Sequence, residues 1–174
     1  METALEQILT NSYKAGMISY LAAHPEDFDE LIKLAISDKR RYSWRAAWLL
    51  WSCMEKNDRR IKRYVKNIIE TIPGKADNQQ RELLIVLQQM DINEEFEGLL
   101  FNHCVTIWEK ITKKPSVRCN AFKMIVKIAK KHPDLFSEII FLTQNNYMDS
   151  LSPAVKKSVA KMATPFHNLP DQKG

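Results

Sequence analysis

Between residues 58 and 72 apolar side chains recur at three- and four-residue steps: Ile61, Tyr64, Val65, Ile68, Ile69 and Ile72. That spacing puts them on one face of an α-helix. Asn57-Asp58 offers a cap before it, and Pro73-Gly74 ends it. The pattern predicts a single one-sided helix over 58–72. The preceding segment, 43–56, is apolar almost all round, with Trp44, Ala47, Trp48, Leu49, Leu50, Trp51 and Met54. A helix hydrophobic on every side belongs between other helices.

The alternation of a sandwiched helix with a one-sided one continues. Asp77 precedes Leu83, Leu84, Ile85, Val86, Leu87 and Met90. Asn93 then opens an amphipathic run of Phe96, Leu99, Leu100, Cys104, Ile107, Trp108 and Ile111. Pro115-Ser116 begins a third pair, which breaks at His132-Pro133 and resumes with Phe136, Ile139, Ile140 and Leu142 turned inward. Residues 13–23 and 25–37 form the equivalent pair near the N-terminus. Ser152-Pro153 starts a last short helix through Met162, and residues 165–174 read as a tail. The first helices fall into register: Arg45, Arg81, Arg118 and Lys156 follow at intervals of 36, 37 and 38 residues. Two helices per unit at that period predict an all-α, right-handed α-solenoid of four to five hairpins. Residues 1–164 are expected to form one such domain.

The same period places HPEDFDELI at 24–32 and HPDLFSEII at 132–140, three units apart. Both are expected to punctuate a hairpin, with proline starting the second helix and Phe28 or Phe136 entering the core. The period, the R-x-x-x-[LF] helix starts and the second helices resemble HEAT-type repeats from Tyr13 to Met162. More narrowly, HPEDFDELI followed by Trp44-Arg45-Ala46-Ala47-Trp48 is similar to a group of short bacterial helical-repeat proteins without an assigned activity. Some of that group are labelled adenylosuccinate lyase. Lyases of that superfamily use a Ser-rich S-S-x-M-P-x-K-x-N loop, and the chain contains none. The repeat period, with no catalytic constellation in the sequence, predicts a binding or scaffolding module rather than an enzyme.

Composition agrees with the pattern. Hydrophobic residues make up 45% of the 174, too many for a disordered chain. Only four glycines occur. The longest uncharged apolar stretches, 46–54 and 139–148, are about half a membrane span. The acidic start Met1-Glu2-Thr3 has no signal-peptide core. Cys53, Cys104 and Cys119 form no CxxC pair, so a reducing cytoplasm is the expected setting.

Catalytic and metal constellations are not found in the motifs. His103 and Cys104 are adjacent, hence about 100° apart on a helix and poorly placed to share a metal. His24 and His132 each precede a proline, where a neutral imidazole can hydrogen-bond nearby backbone or simply end the preceding helix. The sequence has no G-x-S-x-G, H-E-x-x-H or phosphate-binding glycine loop. No cofactor and no metal is expected. Trp44, Trp48 and Trp51, at i, i+4 and i+7, are expected to pack between hairpins, with an exposed aromatic wall as the functional alternative.

Charge carries the most functional information. Residues 1–37 have two Lys/Arg against six Asp/Glu; residues 38–66 have ten against three. Residues 76–109 have one against seven, and residues 110–131 eight against none. Alternating hairpins of opposite sign would attract in register. They also supply a candidate binding surface: Arg40 and Arg41 before Trp44, then Arg59, Lys62, Arg63 and Lys66 on the 58–72 helix, and Arg118, Lys123 and Lys127 on the 116–131 helix. A protein or peptide of mixed charge is the expected partner. Nucleic acid is the alternative, with a resemblance to HEAT-like DNA glycosylases for alkylated bases, which use a concave basic groove with aromatics and a carboxylate. No membrane partner is expected.

Overall fold

Thr3 and Asp58 cap the helices that follow them through side-chain oxygens, and Pro115 opens another, while Asp77 lies inside its helix and does not cap it. The computed structural model describes residues 1–167, which form twelve α-helices and no strand. They divide into two compact units, Met1–Phe96 and Glu97 onward. In the first unit, α1 (Ala4–Asn11) is followed by α2 (Lys14–Ala23) and α3 (Phe28–Ile36), then α4 (Ser43–Cys53). Next come α5 (Arg59–Lys62), α6 (Val65–Thr71) and α7 (Asp77–Gln88). Helix α8 (Glu94–Glu109) begins here and lies mostly in the second unit. That unit continues with α9 (Pro115–Ala129), α10 (Phe136–Leu142), α11 (Asn145–Met148) and α12 (Pro153–His167).

In the first unit α4 is the centre of the stack, packed against α2, α3 and α7. In the second, α9 and α10 pack on each other and both on α12. Side-chain links between neighbouring hairpins recur at one-repeat separations. Arg45 donates to the Ser12 carbonyl (2.7 Å), Lys39 pairs with Glu6 (2.7 Å) and Arg63 with Asp29 (2.5 Å). In the second unit the Trp108 indole donates to the Leu142 carbonyl (2.8 Å), and Lys131 and His132 both reach Glu97. Their separations of 33 to 35 residues are what stacked units of that period produce. The ion pairs join acidic segments to basic ones, in the sense the charge pattern anticipates.

Several expectations need correction. The 58–72 helix is two short helices with a turn at Arg63 and Tyr64. There the Tyr64 N–H bonds to Ile61, three residues back (2.8 Å), and the Tyr64 hydroxyl donates to Asp29 on α3. The α4 tryptophans do not fill the core. Ala46, Ala47, Leu49 and Leu50 do, because small and medium side chains let α4 approach its neighbours. Trp48 and Trp51 are half-buried and Trp44 is exposed, which leaves the Trp51 N–H free to find Glu82 (2.5 Å).

In α8 the buried face is Glu97, Leu100, Phe101, Cys104, Ile107 and Trp108, while Leu99 is exposed. Glu97 occupies an apolar register position because Lys131 and His132 satisfy it there. Ile140 is exposed, and Phe136 is half-buried against Phe166, ring centroids 5.0 Å apart. The last helix runs past Met162 to His167 and takes in Pro165; the remainder of the expected tail lies outside the described residues.

Candidate functional site

The corner where the first two hairpins meet is built on one buried carboxylate. Asn57 adopts a left-handed conformation (φ 52°), which asparagine tolerates better than most residues. Its N–H donates to the Gln89 carbonyl (2.7 Å) and its side-chain oxygen accepts from Asp91 (3.1 Å). This turn sets Asp58 as the cap of α5, where it accepts from the Arg60 and Glu55 N–H groups, each at 3.0 Å. Arg60 then folds back onto its own cap, Nε to Oδ1 at 3.0 Å and Nη2 to Oδ2 at 2.7 Å. That two-pronged contact holds the Asp58 carboxyl down to about 2 despite burial, and raises the Arg60 guanidinium above its ordinary value.

Thus clamped, the Arg60 guanidinium lies 3.5 Å from the centroid of the Phe28 ring. The pair forms a ridge from which two clefts open, sharing Pro25, Phe28 and Arg60. The first, about 430 Å³, has Phe28 and Ile32 at its base, with Arg59, Arg60 and Arg63 along the α5 side. Glu26 and Asp29 line its α3 side. Asp29 is committed: it pairs with Lys33 (2.8 Å) and Arg63 (2.5 Å) and accepts the Tyr64 hydroxyl, and these donors hold it down to about 2. The second cleft, about 320 Å³, is mostly apolar, with Ile18, Leu21 and Ala22 of α2 facing Ser52 and Cys53 at the end of α4. Burial pushes the Cys53 thiol up, so it presents a neutral wall.

Of the cations read from the sequence, Arg59 and Arg63 line this groove. Lys62 belongs to the same short helix but not to the lining, and Lys66 pairs with Glu70 on α6 (3.8 Å). Among the described residues Arg59 and Lys62 have no ion-pair partner. Arg40 is exposed; Arg41 pairs with Glu2 (3.0 Å) beside the Tyr42 ring. Trp44 is 38% exposed on α4, with the Arg45 guanidinium 6.0 Å from its ring. The groove therefore gathers two of these residues and leaves Arg40, Arg41 and Trp44 out of its lining.

In the second unit, Lys123 is exposed and Lys127 half-buried on α9. Arg118 is not a surface cation, which corrects the expectation. It is 1% exposed, stacked 4.6 Å from the Trp108 ring, and donates to the carbonyls of Trp108 (2.8 Å) and Tyr147 (2.7 Å). Ser150 takes a third bond at 3.1 Å. Carbonyl dipoles replace water around it, and burial lowers its pKa from the ordinary arginine value.

The histidines also have architectural partners. The His24 Nδ1–H donates to the Tyr20 carbonyl (3.0 Å) with the rings stacked at 4.2 Å, and His132 binds Glu97. Sequence reasoning missed Arg60, Ile18 and Cys53 as lining residues and assigned Phe28 to the core alone. Only the capping carboxylate was signalled, by Asn57-Asp58, since an arginine two residues on follows neither helical nor strand spacing.

A family model described as the HEAT repeat domain matches residues 1–164. The chain belongs to the HEAT repeat family. No curated protein and no solved structure matches it. HEAT repeats commonly serve as scaffolds for protein interaction and are typically non-catalytic. Among the described residues no helix is long and apolar enough to cross a membrane.

Proposed function

We propose that this HEAT repeat protein is a non-catalytic interaction module, and that it binds a segment of a partner protein in the groove between α2/α3 and α4/α5. The observation that carries this reading is the continuous pair of clefts about the Phe28–Arg60 ridge. An apolar cleft and a charged cleft side by side suit a peptide, which brings both kinds of side chain on one strand. The Asp58 clamp fixes Arg60 before any ligand arrives, which lowers the ordering cost of binding. Residues 1–164 act as one repeat domain in this proposal. A cytoplasmic setting belongs to it as well, since Cys53, Cys104 and Cys119 are all free thiols.

Nucleic acid is the second reading, supported by Arg59 and Lys62, which have no ion-pair partner among the described residues. Against it stands the exposed carboxylate of Glu26, which shares the cleft with Arg59 and would repel a phosphate backbone.

Selection from a random peptide display library tests the proposal, with bound peptides measured again on Ala22→Trp, which places an indole in the apolar cleft. Peptides that bind the wild type and lose affinity for the filled variant are the expected result. A selection that enriches nothing, or peptides indifferent to Ala22→Trp, would overturn it. Binding to single- or double-stranded DNA at low salt that Arg59→Ala and Lys62→Ala abolish would put nucleic acid in its place.

A further inference from the structure

We infer that the groove selects an extended segment in which an apolar anchor is followed, within a few residues, by adjacent side chains of opposite charge. The inference rests on the groove being a peptide site, and concerns which peptides it accepts.

The apolar end comes first. Ile18 on α2 is 40% exposed over the part of the cleft that lies away from Arg60, where Leu21, Ala22 and the neutral Cys53 thiol also line it. None of these offers a charge, so an aliphatic or aromatic side chain is the occupant that desolvates at least cost. The Phe28–Arg60 ridge comes next. A guanidinium carries five N–H donors; Asp58 takes one from Nε and one from Nη2 and compensates the charge. The remaining donors of Arg60 suit a neutral acceptor, such as a backbone carbonyl of the bound strand.

The charged cleft is lined by both signs, cations from α5 and its end and carboxylates from α3 and the turn before it. On the α5 side Arg59 has no carboxylate partner among the described residues, and Arg63 shares Asp29 with Lys33. On the side of α3 and the turn before it, Glu26 is exposed with no ion-pair partner among the described residues, while Asp29 is saturated by its three donors. Successive side chains of an extended strand point to opposite sides. One residue of such a strand therefore faces Arg59 while its neighbour faces Glu26. An acidic residue satisfies the first and a basic residue the second. A uniformly acidic or uniformly basic segment would meet a like charge at one wall.

The test uses the full chain and peptides selected on it. The aligned sequences should show an apolar anchor with an acidic and a basic residue side by side. Fluorescence anisotropy with one such peptide should show Arg59→Glu and Glu26→Lys each weakening binding, by roughly threefold to tenfold. The double variant Arg59→Glu/Glu26→Lys should bind the peptide with its two charges exchanged better than the original, a rescue that misfolding cannot produce. Selected peptides without paired charges, or exchange without rescue, would overturn this inference and leave peptide binding standing. If no peptide binds in the groove, both readings fall together.

Discussion

Asp58 shows how much one side chain organises at this corner. It caps α5, fixes the Glu55 N–H and orients Arg60 over Phe28. Its folded pKa of about 2 lies below the unfolded value, about 3.9. A depressed carboxylate contributes stability that is present above the unfolded pKa and lost as pH falls through the folded one, here between about 4 and 2. Asp58→Asn keeps an acceptor at the cap and removes the charge. Urea unfolding should show it less stable than the wild type by about 2 kcal/mol at neutral pH, with the gap closing toward pH 2. A pH-independent gap would mean that the Arg60 contact contributes nothing through charge. The cap was legible from Asn57-Asp58 alone. The arginine folded over it was not, because the i, i+2 contact follows neither helical nor strand spacing and depends on the turn that Asn57 makes.

At the scale of the element, periodicity located the helices and misjudged which faces they bury. In α4 the three tryptophans form the most conspicuous stripe in the chain, yet the apolar side chains it buries in the stack are Ala46, Ala47, Leu49 and Leu50. Hydrophobicity marks a residue as buriable; how near two helices come is decided by side-chain size, which a hydropathy pattern does not register. Ala47→Leu should therefore destabilise by about 1–3 kcal/mol through overpacking. Trp44→Ala should cost less than about 1 kcal/mol, since it removes an exposed ring and a distant arginine contact. Thermal unfolding of the two variants decides between this packing and a tryptophan core, which would reverse their order.

Helix α8 errs in the opposite sense: Glu97 sits on the buried face and Leu99 outside it. The period could not reveal this, because the partners of Glu97 come from residues 131 and 132 on the following hairpin. Those two donors hold the Glu97 carboxyl below its ordinary value although burial pushes it up. Its contribution is thus present above the unfolded glutamate pKa and declines as pH falls. Glu97→Ala should lower stability at neutral pH by about 1–3 kcal/mol, a figure below that of a fully buried pair because Lys131 is half-exposed. Equal stabilities at neutral pH in urea would show that the cluster is neutral in energy.

For the whole molecule, repeat spacing was the strongest signal in the sequence. Intervals of 36 to 38 residues between helix starts reappear as links between neighbouring hairpins at 33 to 35. Alternating net charge appears as ion pairs across the same joints, which take up Arg41 and Arg63 among the cations that looked available for a partner. What remains is local. The groove forms where two hairpin corners meet, from Ile18, Phe28, Cys53 and Arg59, residues spread over 42 positions that no single motif would group. The most direct test of the central claim is the affinity of a selected peptide for the wild type and for Ala22→Trp, measured by fluorescence anisotropy beside the thermal midpoint of each. Binding through the groove predicts at least a roughly tenfold loss of affinity in the filled variant with the midpoint unchanged. Equal affinity in two equally stable proteins would contradict it.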